Sequence, residues 1–71
     1  MNNAIRAKRV WLVYRSDGSG RIKTVFEQNP TRVFPGWAAP SGYAVLDARV
    51  TEREFKMIRR LRVTRRGLQP A

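Results

Sequence analysis

Lys8-Arg9-Val10-Trp11-Leu12-Val13-Tyr14-Arg15, then Ser16-Asp17-Gly18-Ser19-Gly20, then Arg21-Ile22-Lys23-Thr24-Val25-Phe26-Glu27 is the stretch on which the fold turns. Its first part is β-branched and aromatic in the middle and charged at both ends, the composition of a strand. Side chains alternate across a strand, so Val10, Leu12 and Tyr14 share one face and Trp11 and Val13 the other. Both faces are apolar, which predicts a central strand or one with a covered outer face. Asp17-Gly18 supplies the positive-φ positions of a tight turn, and Gly20 allows a bulge. The chain then returns as a second strand, with Ile22, Thr24 and Phe26 on one face and Lys23, Val25 and Glu27 on the other. A β-hairpin is the firm local reading.

Downstream, Gln28 to Gly42 holds Pro30, Pro35, Gly36, Pro40 and Gly42. Proline cannot donate to a ladder, so the segment reads as irregular. Phe34 and Trp37 within it form either a lid over a thin core or an exposed contact, and the lid is favoured. Tyr43-Ala44-Val45-Leu46-Asp47 reads as a third short strand. Thr51-Glu52-Arg53-Glu54 matches a capping box, with Val50 and Phe55 at the positions of a hydrophobic staple. Glu52 and Glu54 complement the helix dipole, and Gly67 and Pro70 supply stop signals. A helix is therefore expected from about 52 to 66, laying Phe55, Met57, Ile58 and Leu61 on the sheet. The expected architecture is α+β: a small antiparallel three-stranded sheet, hairpin plus one strand, packed by one C-terminal helix. Residues 1–7 read as a flexible basic arm, 8–67 as a single domain and 68–71 as a tail.

The chain has 71 residues, with 15 Lys and Arg against 5 Asp and Glu, a formal net charge of +10. A domain this short buries a thin core. It has no Cys and no His, so disulfides, thiolate metal sites and the commonest general base are missing. Its serines, Ser16, Ser19 and Ser41, sit in turn settings with no base to activate them. The acids are largely spoken for by the hairpin turn and the helix start. Asp17-Gly18-Ser19-Gly20 lacks a Walker pattern and joins two strands, leaving only a backbone anion nest as an idea. These absences point away from an enzyme and from a metal or organic cofactor. No apolar run reaches the roughly 18 residues of a membrane span, and residues 1–8 lack a signal-type apolar stretch. A cytoplasmic, monomeric protein without membrane contact is the expectation.

What remains is charge, mostly arginine, whose planar fork pairs with phosphate in two places. Arg53, Lys56, Arg59, Arg60 and Arg66 fall on the outer side of the expected helix, with Arg62 and Arg65 nearer its apolar stripe. A solvated face usually mixes both signs, yet no acid follows Glu54. Such a one-sign face suits a polyanion. Arg6, Lys8 and Arg9 beside Trp11 make a second basic group able to grip phosphates and stack a base, although Trp11 as an anchor of the core is the favoured reading. The candidate partner-binding residues are thus Arg6, Lys8, Arg9, Arg53, Lys56, Arg59, Arg60, Arg65 and Arg66. No second helix supports a helix-turn-helix, and the RNP aromatic pattern is missing. Three functions remain open: a regulator of a nucleic-acid machine such as RNA polymerase, a plain RNA- or DNA-backbone-binding module, and an inhibitor of an acidic protein surface.

The basic strand Lys8-Arg9-Val10-Trp11-Leu12-Val13-Tyr14 with its hairpin and the run Arg59-Arg60-Leu61-Arg62-Val63-Thr64-Arg65-Arg66 resemble the small basic early proteins of lytic bacteriophages that regulate host RNA polymerase. The likeness is one of size and charge over the whole chain and carries no diagnostic motif, so no contact residue is transferred. It implies binding to the polymerase near the RNA exit channel in the host cytoplasm, inhibition of initiation, and antitermination. It ranks the polymerase regulator first.

Overall fold

The computed structural model describes residues 7–70; of the arm expected over 1–7 only Ala7 falls within them, and Arg6 lies outside the described residues. Strand β1 (Ala7–Arg15) is central in a three-stranded antiparallel sheet, flanked by β2 (Ile22–Phe26) and β3 (Tyr43–Thr51). Of the two readings left open by its two apolar faces, central strand or covered outer face, the central position is the one it takes. Val10 and Leu12 are wholly buried on one face and Val13 is buried on the other. β3 runs longer than the sequence suggests, pairing from Arg15↔Tyr43 to Ala7↔Thr51.

The hairpin turns through Ser16–Gly20, closed by Arg15 N–H donating to the Arg21 carbonyl at 2.8 Å. Asp17 organises it, accepting from Ser19 N at 2.9 Å and Ser19 Oγ at 2.7 Å. The Ser19 N–H on which an anion nest would draw is therefore engaged by the turn's own carboxylate. β2 departs from simple alternation. The register slips between Val13↔Thr24 and Tyr14↔Ile22, leaving Lys23 as the extra residue of a bulge. Ile22 consequently joins Val25 at the core, while Thr24 and Phe26 pair with Val13 and Trp11 on the opposite face.

The connecting segment holds one short helical turn, α1 (Pro30–Val33), where no regular element is expected from the sequence. Asn29 caps it by accepting from Thr31 N at 3.1 Å, and Pro30 takes a first-turn position that needs no N–H donor. Trp37 meets Phe26 edge-on at 5.6 Å, on the face of the sheet opposite the main core, and Phe34 stands 52% exposed, so neither ring covers that core.

The helix after β3 begins where the sequence places it and ends far sooner. In α2 (Glu52–Lys56) both halves of the capping box form: Thr51 Oγ1 accepts from Glu54 N at 3.1 Å, and Thr51 N donates to Glu54 Oε1 at 2.8 Å. Val50 and Phe55 then join the same core cluster. The helix expected over 52–66 breaks at Met57, which is exposed rather than on the apolar stripe. A 3₁₀ turn at Ile58–Arg60 leads into β4 (Leu61–Thr64), and β4 pairs with β5 (Gly67–Pro70) as a second hairpin. Residues 68–70, read as tail, are strand.

Three physical reasons favour this course. Residues three apart align in a 3₁₀ turn, so Ile58 and Leu61 both reach the core. Val63 and Thr64 are β-branched and prefer strand. A continuous helix would also stack Arg59, Arg62, Arg65 and Arg66 at repelling spacings. Gly67, read as a helix stop, instead carries the positive φ of 100° that follows the Arg65–Arg66 turn, as in a type I turn with a glycine bulge.

The core lies between the β1–β3 face and this second hairpin: Val10, Leu12, Val50, Ile58 and Leu61, ringed by Ile22, Val25, Leu46, Phe55, Val63 and Leu68. Among the described residues no helix is long and apolar enough to cross a membrane.

Candidate nucleic-acid interface

The predicted basic residues separate according to whether a carboxylate meets them. Lys8 lies on the core side of β1, its Nζ 2.8 Å from Glu27 Oε1 and 4.3 Å above the Phe55 ring. Arg9, on the other face, grips Asp47 with both arms of its fork, Nε to Oδ1 at 3.0 Å and Nη2 to Oδ2 at 2.6 Å, and stacks over Trp11 at 4.9 Å. Arg15 Nε donates to Asp17 Oδ2 at 2.9 Å. These contacts hold Asp47 below the ordinary carboxyl range through its bond from Arg9. Asp17 is held well below it through Ser19 first and Arg15 second. The same bonds raise the guanidinium pKa values of Arg9 and Arg15. Lys8 and Arg9 therefore fasten the sheet as well as adding charge.

The single helical face of cations does not form. Arg53 and Lys56 sit on α2, Arg59 and Arg60 on the 3₁₀ turn, and Arg65 and Arg66 at the tip of the β4–β5 hairpin. All but Arg53 and Lys56 have thus left the helix. None of the six makes an ion pair with a carboxylate of the described residues; all six are exposed, and four of them, Arg59, Arg60, Arg65 and Arg66, lie on the second hairpin or its approach.

The structure also draws in cations that the sequence pattern does not single out. Arg21, just before β2, forms an antiparallel bridge with Arg62 of β4. Arg21, Arg59 and Arg62 line one open cavity of about 530 Å³, floored by Ile22 and Leu61. Lys23, re-aimed by the bulge, stands 4.8 Å over the Tyr43 ring, with Arg15 at 5.7 Å on the same ring. Arg32 faces Arg9 and Trp11 across a smaller groove lined by Gln28 and Asn29. The signal that could have found Arg62 was the alternation Leu61-Arg62-Val63-Thr64 before a turn glycine; Arg21 carries no comparable local signal.

Among the described residues no group of three or more Cys, His, Asp or Glu side chains gathers to hold a metal. The chemistry on offer is fixed positive charge, donated hydrogen bonds and a few aromatic rings under cations. No family model, curated protein or solved structure matches the chain.

Proposed function

We propose that this protein is a non-catalytic module that binds the phosphate backbone of a nucleic acid, RNA or DNA, through the cations of its C-terminal half. One observation carries the reading. The described acids are committed to Lys8, Arg9 and Arg15 or to the start of α2, which leaves the arginines from Arg59 to Arg66 uncompensated on one hairpin and its approach. Phosphate neutralisation by such residues releases counterions, so binding is expected to weaken steeply with salt. A tagged pull-down from bacterial lysate, with and without nuclease, tests it. Loss of all captured material with nuclease supports the module. Capture of protein alone, unaffected by nuclease, contradicts it.

A second reading follows from a different observation. Val33 and Phe34 are exposed, 45% and 52%, beside an apolar recess formed with Phe26 and Pro30. The outer edge of β3 pairs with no strand among the described residues. An exposed aromatic knob and an open sheet edge suit a protein partner. This favours a regulator that docks on RNA polymerase close to nucleic acid, inhibiting initiation or causing antitermination. Polymerase subunits retained after nuclease treatment are its expected signature.

A further inference from the structure

We propose that Arg21, Arg59 and Arg62 form a phosphate clamp, a site whose natural ligand rests on the nucleic-acid reading above but whose geometry does not. The three side chains come from three places, the residue just before β2, the 3₁₀ turn and β4, and line one open cavity with Ile22 and Leu61. Among the described residues no acid lines it.

The main chain sets this meeting. Val63 N–H donates to the Gly20 carbonyl at 2.9 Å, and Arg21 bridges Arg62 beside it. Gly20 is buried with φ +68°, and a Cβ there would collide with the Val63 carbonyl. Only glycine permits the approach. Residues paired across an antiparallel bridge project to the same side, so Arg21 and Arg62 are held as neighbours, and like charges placed opposite each other are unfavourable. A bound phosphate removes that repulsion and satisfies the guanidinium forks in pairs. Buried Leu61 beneath the cavity limits solvent on one side and strengthens the attraction.

The other cavities are weaker candidates. In the one lined by Tyr14, Arg15 and Arg65, Arg15 is already bound to Asp17. In the groove at Trp11, Arg9 is bound to Asp47. The ligand class for the clamp is a pyrophosphate, a terminal phosphate monoester or two successive phosphodiesters.

Two titrations test the clamp. The first follows the Nε–Hε signals of all arginines by NMR as pyrophosphate is added to the full chain. Saturable shifts at Arg21, Arg59 and Arg62, larger than those at Arg32, Arg49 and Arg53, are expected. Equal shifts at every arginine, or none, overturn the clamp. The second measures the salt dependence of binding to a fluorescein-labelled 20-nucleotide single strand. The combined Arg21→Gln, Arg59→Gln, Arg62→Gln variant should flatten the slope by about 0.7 for each phosphate that is no longer neutralised. The single Arg59→Gln variant guards against misfolding of the triple variant. A slope equal to wild type in both variants overturns the clamp as a nucleic-acid site. If pyrophosphate converges on the three arginines while the wild-type chain ignores the oligonucleotide, the clamp stands as a site for a small phosphorylated ligand and the nucleic-acid reading falls.

Discussion

Lys8, Arg9 and Arg15 on β1 each meet a carboxylate, whereas Arg62, Arg65 and Arg66 of the β4–β5 hairpin meet none among the described residues. The two hairpins are built from similar material, basic residues interleaved with apolar ones around a glycine turn. Around the first, cations tie strands of the sheet together: Arg9 of β1 to Asp47 of β3, and Lys8 of β1 to Glu27 just past β2. In the second, the fastening is done by Leu61, Val63 and Leu68 against the sheet and by the Gly20–Val63 backbone contact. The charge is then left over. Positive residues in one small domain thus divide into those that also fasten the fold and those it merely displays, and on the proposed reading the displayed ones carry the binding.

The largest expected effect breaks the second hairpin's attachment. Gly20→Ala forces a left-handed conformation on a residue with a side chain and drives its methyl into Val63, at a cost of about 2–4 kcal/mol. Urea unfolding should register that loss; an unchanged midpoint would mean that β4 does not rest on the first turn. Leu61→Ala removes a buried side chain of the same hairpin and should cost about 2–3 kcal/mol, read by the same method. A value near zero would show that the second hairpin adds nothing to the core.

Thr51→Ala deletes one half of the capping box and should cost about 1 kcal/mol. That loss, together with intact binding to an oligonucleotide, would separate the helix start from the charged surface; a loss of binding larger than the loss of stability would join them.

The smallest effect sharpens the contrast on the side of the three-stranded sheet. Asp17 and Asp47 both titrate below the ordinary 3.8. A depressed folded pKa stabilises the fold fully above the unfolded value, and that contribution is lost as pH falls through the folded one. Stability measured against pH should therefore hold down to about pH 4 and decline below it, with a shallower decline in Asp47→Asn. Identical acid profiles for the variant and the wild type would remove the Arg9–Asp47 pair from the account.

This division was not legible in the residues, where Lys8 and Arg9 read as partner-binding alongside Arg59 and Arg66, because Glu27 and Asp47 are remote in sequence; the elements were legible in part. β1 and its turn carry independent signals, two-sided apolarity and Asp-Gly, that agree with each other. The cap of α2 was legible because Thr51 and Glu54 are neighbours whose bonds need no tertiary context. Its end was not, because an arginine run followed by Gly67 serves a helix stop and a hairpin turn equally well. Phe55, Ile58 and Leu61 reach the core either way, so the helical wheel named three right contacts and one wrong one, Met57, and put Ile58 and Leu61 on the wrong element. The β2 bulge shifts Ile22 and Lys23 between faces with no composition change to announce it. The Arg21–Arg59–Arg62 cavity was hidden for a stronger reason: it exists only because Gly20 and Val63, remote in sequence, touch through their backbones.

The most direct test of the distinction between used and displayed charge is the salt dependence of oligonucleotide binding in two variants of equal charge loss. One replaces Lys8, Arg9 and Arg15 with Gln, the other Arg62, Arg65 and Arg66, with circular dichroism confirming that both fold. The account predicts a wild-type slope in the first and a flatter slope, by about 0.7 for each phosphate left without its cation, with weaker binding in the second. Equal flattening in both variants, or flattening confined to the first, would contradict it.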